Sequence, residues 1–125
     1  MEVQELTAAP SGIIGSLVLR KALQRAGDEL GLSAQETAQA IGKSRNFFEQ
    51  ARAHSRIDLH TQRMIALMLR LHRSLSALVG DDTGLMRHWI NTANRHTGGL
   101  PREQLQDPEQ LVELVHYLDA MRGRP

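Results

Sequence analysis

Six histidines, His54, His60, His72, His88, His96 and His116, are the side chains of this sequence best suited to hold a metal or carry a proton at neutral pH. Their spacing argues against both uses. No two stand at i, i+4, the interval that brings a pair of imidazoles onto one ion from a helix, and the chain has no cysteine to complete such a set. The lack of cysteine also excludes thiolate nucleophiles and disulfides. Asp81 and Asp82 put two carboxylates side by side, but within Gly80-Asp81-Asp82-Thr83-Gly84, a run suited to ending one helix and capping the next. Gly98-Gly99 lacks the preceding strand and the glycine spacing of a phosphate-binding loop. No nucleophile is set beside a base. The sequence therefore predicts no enzyme activity, no metal site and no cofactor.

Composition narrows the scaffold. In 125 residues, 41% are hydrophobic but only 3% aromatic, so the core must be built from Leu, Ile, Val, Met and Ala, a mixture that favours helices. Fifteen basic residues against 14 acidic ones give a net charge of +1, which leaves room for a local nucleic-acid patch and no general affinity. There is no apolar run of membrane-spanning length and no signal-peptide pattern, so a soluble cytoplasmic protein is expected.

The elements follow from period and punctuation. Residues 1–11 read as a flexible arm. Ile14, Leu17, Val18, Ala22, Leu23, Ala26 and Leu30 give a first helix that Gly31 ends. Ser33 and Glu36 form a capping-box pattern for a short second helix that stops at Gly42, and Ser44 is placed to cap a third through about Ala53. Asp58 opens the longest helix, Leu59 to Val79, whose Met64, Leu67, Leu71, Leu75 and Leu78 make one stripe widened by Ile65, Met68, Leu69 and Val79. Beyond Gly80 come a short helix carrying Leu85, Met86, Trp89 and Ile90, a loop from Asn94 to Leu100, one turn at Pro101, and a last helix begun by Asp107-Pro108-Glu109-Gln110. The expected fold is all-α: a helix-turn-helix unit over 12–57, a central helix over 58–80 and a small helical C-terminal domain over 81–125.

Residues Leu32 to Arg52 fit a helix-turn-helix, with Ala38 at the close crossing, Gly42 in the turn, and Ile41 and Phe48 as anchors. On that reading Lys43, Ser44, Arg45, Asn46, Glu49 and Gln50 start or face outward from the second helix, where they can meet phosphates and base edges. Thr37 stands where an apolar residue is usual, Lys43 where valine or isoleucine is common, and Phe47 is out of place on an outward face. A helix-turn-helix that serves only as scaffold is the alternative.

The sequence from Leu59 onward resembles the C-terminal toxin-binding part of the Xre/MbcA/ParS antitoxins. The resemblance rests on Val79-Gly80-Asp81, on Trp89-Ile90-Asn91-Thr92-Ala93-Asn94, on Gly98-Gly99 followed by Pro101 and Leu105, and on Asp107-Pro108-Glu109 opening a helix with Tyr117-Leu118. Ala93, Thr97 and Gln110 depart from the family pattern. The resemblance implies an antitoxin that neutralises a RES-domain toxin, an enzyme that consumes NAD or transfers ADP-ribose from it, with the antitoxin's C-terminal end approaching the toxin's cofactor pocket. It also implies an Xre-like module upstream that regulates the operon by binding operator DNA. Trp89 suits the core, and Asn91 and Asn94 suit turns. The surface left for a toxin is Arg95, His96, Arg102 and Tyr117 together with the tail Met121, Arg122, Gly123, Arg124 and Pro125. A homodimer is expected, because the central apolar face is broad and helix-turn-helix readers engage paired half-sites. The alternatives are a stand-alone repressor whose C-terminal domain dimerises it, and a helical accessory protein without DNA contact.

Overall fold

Four of the described helices start at a short polar side chain. Ser33 Oγ accepts from the Glu36 amide at 3.0 Å while Glu36 Oε1 accepts from the Ser33 amide at 2.9 Å, a complete capping box. Asp58, Asp82 and Asp107 each accept from the amide three residues on, those of Thr61, Leu85 and Gln110. Helix ends rely on backbone freedom: Gly31 and Gly80 adopt φ of +81° and +64°, in the left-handed region that side chains resist.

The resulting fold, seen in a computed structural model that describes residues 13–52 and 55–123, is all-α. Its helices are α1 (Ile13–Glu29), α2 (Ala34–Ala40), α3 (Leu59–Val79), α4 (Thr83–Ile90), α5 (Pro101–Gln104) and α6 (Pro108–Met121). The expected arm at 1–11 lies outside the described residues.

Helix α3 is the axis. It packs against α1 and against α6, and Met64, Ile65, Met68, Leu71 and Leu75 are buried between them. One apolar cluster runs from Leu23 in α1 to Leu118 in α6. The broad stripe that the sequence predicts on α3 is thus covered largely within a single chain, which removes the need for a second copy to bury it. Ser74, fully buried, donates to Asp119 at 2.7 Å. Thr37, unexpected at an apolar position, is buried with its hydroxyl donating to the Ser33 carbonyl at 2.8 Å, so it brings no unmet donor into the core. Close approach at this crossing depends on Gly27 rather than on Ala38 alone: a Cβ at residue 27 would lie 2.1 Å from Thr37 Oγ1.

The third helix expected from Ser44 to Ala53 is absent. Two 3₁₀ turns, Arg45–Phe48 and Gln50–Arg52, stand there instead, separated by Glu49 in extended conformation at φ −68°, ψ 148°. Ala53 lies outside the described residues. Ser44 makes no side-chain cap, and Asn46, Phe47 and Phe48 are weak helix formers, so nothing local enforces an α-turn. A tertiary contact decides the conformation. Arg20 of α1 lies 4.3 Å from the centre of the Phe47 ring, donating through Nε to the Phe47 carbonyl at 2.9 Å and through Nη1 to the Ser55 carbonyl at 2.8 Å. Phe47 is the buried anchor in consequence, and Phe48 is half-buried against the core.

Candidate functional site

The C-terminal unit is assembled from its turns. After α3, Gly80 and Asp81 both take left-handed backbone angles, and Asp81 accepts a hydrogen bond from the Ser76 hydroxyl, closing the helix before Asp82 caps α4. Between α4 and α5, Asn94 organises the loop. Its Oδ1 accepts from the amides of His96 at 2.8 Å and Thr97 at 3.3 Å, and its own amide donates to the Gly99 carbonyl at 2.8 Å. Gly98 sits at φ +81°, as its place in the turn demands. Gly99 serves differently: an added Cβ would stand 3.0 Å from Gln104 Nε2, so the bare backbone is what lets that amide in. Gln104 then donates to the Thr97 carbonyl at 2.6 Å and ties loop to α5.

Helix α6 runs beneath this loop. Tyr117 stacks on His96 with ring centres 6.0 Å apart and planes 17° from parallel. Around the pair lies a groove of about 300 Å³ that Thr97, Gln104, Gln110 and Glu113 also line. Glu113, Tyr117 and Met121 follow one another at helical i, i+4 spacing, so Met121, 56% exposed, lies on the same face of α6 as the groove.

Four of the residues expected to meet a toxin, Arg95, His96, Tyr117 and Met121, therefore belong to the loop and to this face of α6, with Arg95 fully on the surface. Arg122, half-buried, is drawn inward and donates to Ser74 Oγ at 3.0 Å, and Gly123 follows at φ +75°. Arg124 and Pro125 lie outside the described residues. Arg102 departs from its expected place on uncommitted surface. It donates to Glu36 Oε2 at 2.5 Å, to the Gly31 carbonyl at 2.9 Å and to Asn91 Oδ1 at 2.7 Å, which leaves it a joint between the C-terminal unit and α2. Arg87 does the same at the end of α1, donating to the Asp28 and Glu29 carbonyls at 3.0 and 3.3 Å, where a cation also complements the helix dipole.

At the opposite end, Lys43, Ser44, Arg45, Asn46, Glu49 and Gln50 are all exposed. Lys43, Ser44 and Asn46 line a notch of about 270 Å³ with Arg20, Arg52 and Arg56. Asp58 is the acidic residue of that lining; it stands 3.8 Å from Lys43, and its carboxyl is held below the usual range by the Thr61 hydroxyl and amide. Burial, with the nearby Arg52 charge added, lowers the Arg20 guanidinium from its ordinary value. Sequence reading misses Arg20 and Gln104, each polar at a buried register. The visible signal is a polar residue inside an apolar period: Arg20 three residues before Leu23, Gln104 three after Pro101.

Residues 74–124, the stretch that holds this loop and groove, match the family model of the antitoxin Xre/MbcA/ParS C-terminal toxin-binding domain. Over those residues the chain is similar to that toxin-binding domain. No curated protein matches the sequence. The matched stretch begins inside the last part of α3 and takes in α4, α5 and α6, so its boundary cuts across the core that α3 shares with α1. Among the described residues, no helix is long and apolar enough to cross a membrane.

Proposed function

We propose that this chain is a non-catalytic cytoplasmic antitoxin that binds and neutralises a RES-domain toxin through its C-terminal unit. The match over residues 74–124 carries the reading. The exposed Arg95, the His96–Tyr117 pair and Met121 offer a toxin one face of the domain, and the chain end beyond Arg122 is the part that would approach an NAD-binding pocket, where a cation suits pyrophosphate. Co-expression with the toxin encoded in the neighbouring gene tests it. The expected result is a stable co-purified complex and rescued growth, with rescue weakened when residues 121–125 are deleted. A toxin that neither co-purifies nor loses activity ends the proposal.

Operator binding is the second reading, and the notch around Arg20 favours it. Lys43, Arg52 and Arg56 surround a buried guanidinium whose partners there are backbone carbonyls, an arrangement that attracts a phosphodiester. Two copies on paired half-sites, free or within the toxin complex, would complete such a repressor. A gel shift of the chain's own promoter fragment should show binding that Arg45→Ala or Arg52→Gln weakens; no shift by the intact protein removes DNA from the account.

A further inference from the structure

We propose that the groove between the Asn94–Gly99 loop and α6 receives an arginine or lysine side chain of the toxin. The inference rests on the toxin-neutralising reading and adds to it the chemistry of one contact. Its origin is Gln104. The residue is only 7% exposed, and its amide orientation is settled by the Thr97 carbonyl, which can only accept and so must face Nε2. The other end of the amide, Oε1, is buried without a hydrogen-bond partner. Buried acceptors are almost always paired in folded proteins, so Gln104, a residue of the groove lining, carries a buried acceptor that still lacks its donor.

The rest of the lining agrees on what kind of donor. Glu113 contributes a carboxylate that forms no ion pair with another described residue, and Gln110 adds an exposed amide beside it. The stacked His96 and Tyr117 rings add to the lining an aromatic surface of the kind on which a guanidinium or ammonium rests. No lysine or arginine lines the groove, so an anionic group would meet the Glu113 carboxylate with only His96 to offset it. A long, donor-only, cationic side chain suits the carboxylate and the ring together, and is the kind of donor that the buried Gln104 carbonyl lacks. The groove lies within the toxin-binding match, on the same face of α6 as Met121, which points to a side chain delivered by the toxin rather than a free cation.

Affinity of the purified antitoxin for the toxin of the neighbouring gene, measured by calorimetry at low and high salt, tests this. Glu113 is exposed, so Glu113→Gln and Glu113→Lys should leave the thermal midpoint unchanged. Glu113→Gln should weaken binding about fivefold at low salt, and Glu113→Lys by roughly thirtyfold or more, since like charges across an interface are strongly disfavoured. Tyr117→Leu should weaken it by about fivefold with less dependence on salt. A double-mutant cycle between Glu113→Gln and alanine substitutions of toxin arginines and lysines should find one partner whose effect is not additive. If both Glu113 variants bind within twofold of the unaltered protein, the groove holds no cation and the inference is overturned while the toxin-binding reading stands. If the unaltered protein binds no toxin, both fall.

Discussion

Two arginines hold two joints of this molecule, and their surroundings differ. Arg102 joins the C-terminal unit to the start of α2 with a full set of partners: a carboxylate, a backbone carbonyl and an amide oxygen. Arg20 joins α1 to the 3₁₀ segment with two carbonyls and an aromatic ring, and has no carboxylate among its described partners. The first joint is partly exposed and electrically balanced; the second is 6% exposed and leaves a positive charge facing a basic notch. A paired arginine serves the fold, whereas a buried arginine kept without a counter-ion costs desolvation that an external anion can offset. The groove beside α6 is opposite in sign, with a buried acceptor lacking a donor and a Glu113 carboxylate without an ion pair among the described residues. The molecule thus offers a cationic notch beside α1 and, on the proposal above, a groove beside α6 suited to a cation.

The largest effect is expected from breaking the unbalanced joint. Arg20→Met keeps the stem but strips the donors from the Phe47 and Ser55 carbonyls and removes the cation over the Phe47 ring. The buried Phe47 carbonyl left without its donor, together with the lost contact over its ring, costs about 3 kcal/mol, read as a lowered midpoint in urea denaturation. The 43–58 segment should also lose amide protection in hydrogen exchange while α6 keeps its own. An Arg20→Met protein with unaltered stability would mean that the 3₁₀ turns hold themselves.

Why sequence reading finds one joint's elements and not the other's is itself physical. Asp58, Asp82, Asp107 and the Ser33–Glu36 box act within three residues, and Gly31 and Gly80 act at a single residue, so helix limits are legible to within a residue or two. The α3 stripe and the Asn94 turn are local in the same sense. Ser44 obeys the same local rule in sequence, yet the chain there is shaped by Arg20, whose two acceptors lie 27 and 35 residues away. Arg102 looks like free surface for the same reason: its Glu36 and Gly31 partners are 66 and 71 residues distant, and no period announces them. The groove was half visible, in His96 and Tyr117; Gln104 and Glu113 complete it only once loop and helix are laid together.

A smaller loss is expected at the balanced joint, and it carries a pH signature. The Arg102 guanidinium, by its hydrogen bond, and then the Ser33 amide hold the Glu36 carboxyl below the usual glutamate range. A carboxyl whose pKa is lowered by folding adds stability above its unfolded value, about 4.3, and loses it as pH falls through the lowered folded value. Arg102→Ala should therefore cost about 1–2 kcal/mol at pH 7, with partial exposure keeping the figure modest. The gap between variant and unaltered protein should narrow once the pH drops below that of an ordinary glutamate. A gap that stays constant down to pH 3 in denaturant titrations would show that Arg102 acts only through Gly31 and Asn91.

The smallest effect sharpens the comparison most cleanly, because it uses one residue type in both regions. Ser33 accepts from the Glu36 amide, while Ser44 makes no cap at all. Ser33→Ala should cost about 1 kcal/mol, as loss of an N-cap does. Ser44→Ala should change stability by no more than about 0.5 kcal/mol, as an exposed substitution without a partner does. Chemical denaturation of the two variants side by side resolves the difference. Equal losses would mean that the segment after Gly42 samples a capped α-helix in solution, and the contrast between a locally determined and a tertiary-determined turn would have to be abandoned.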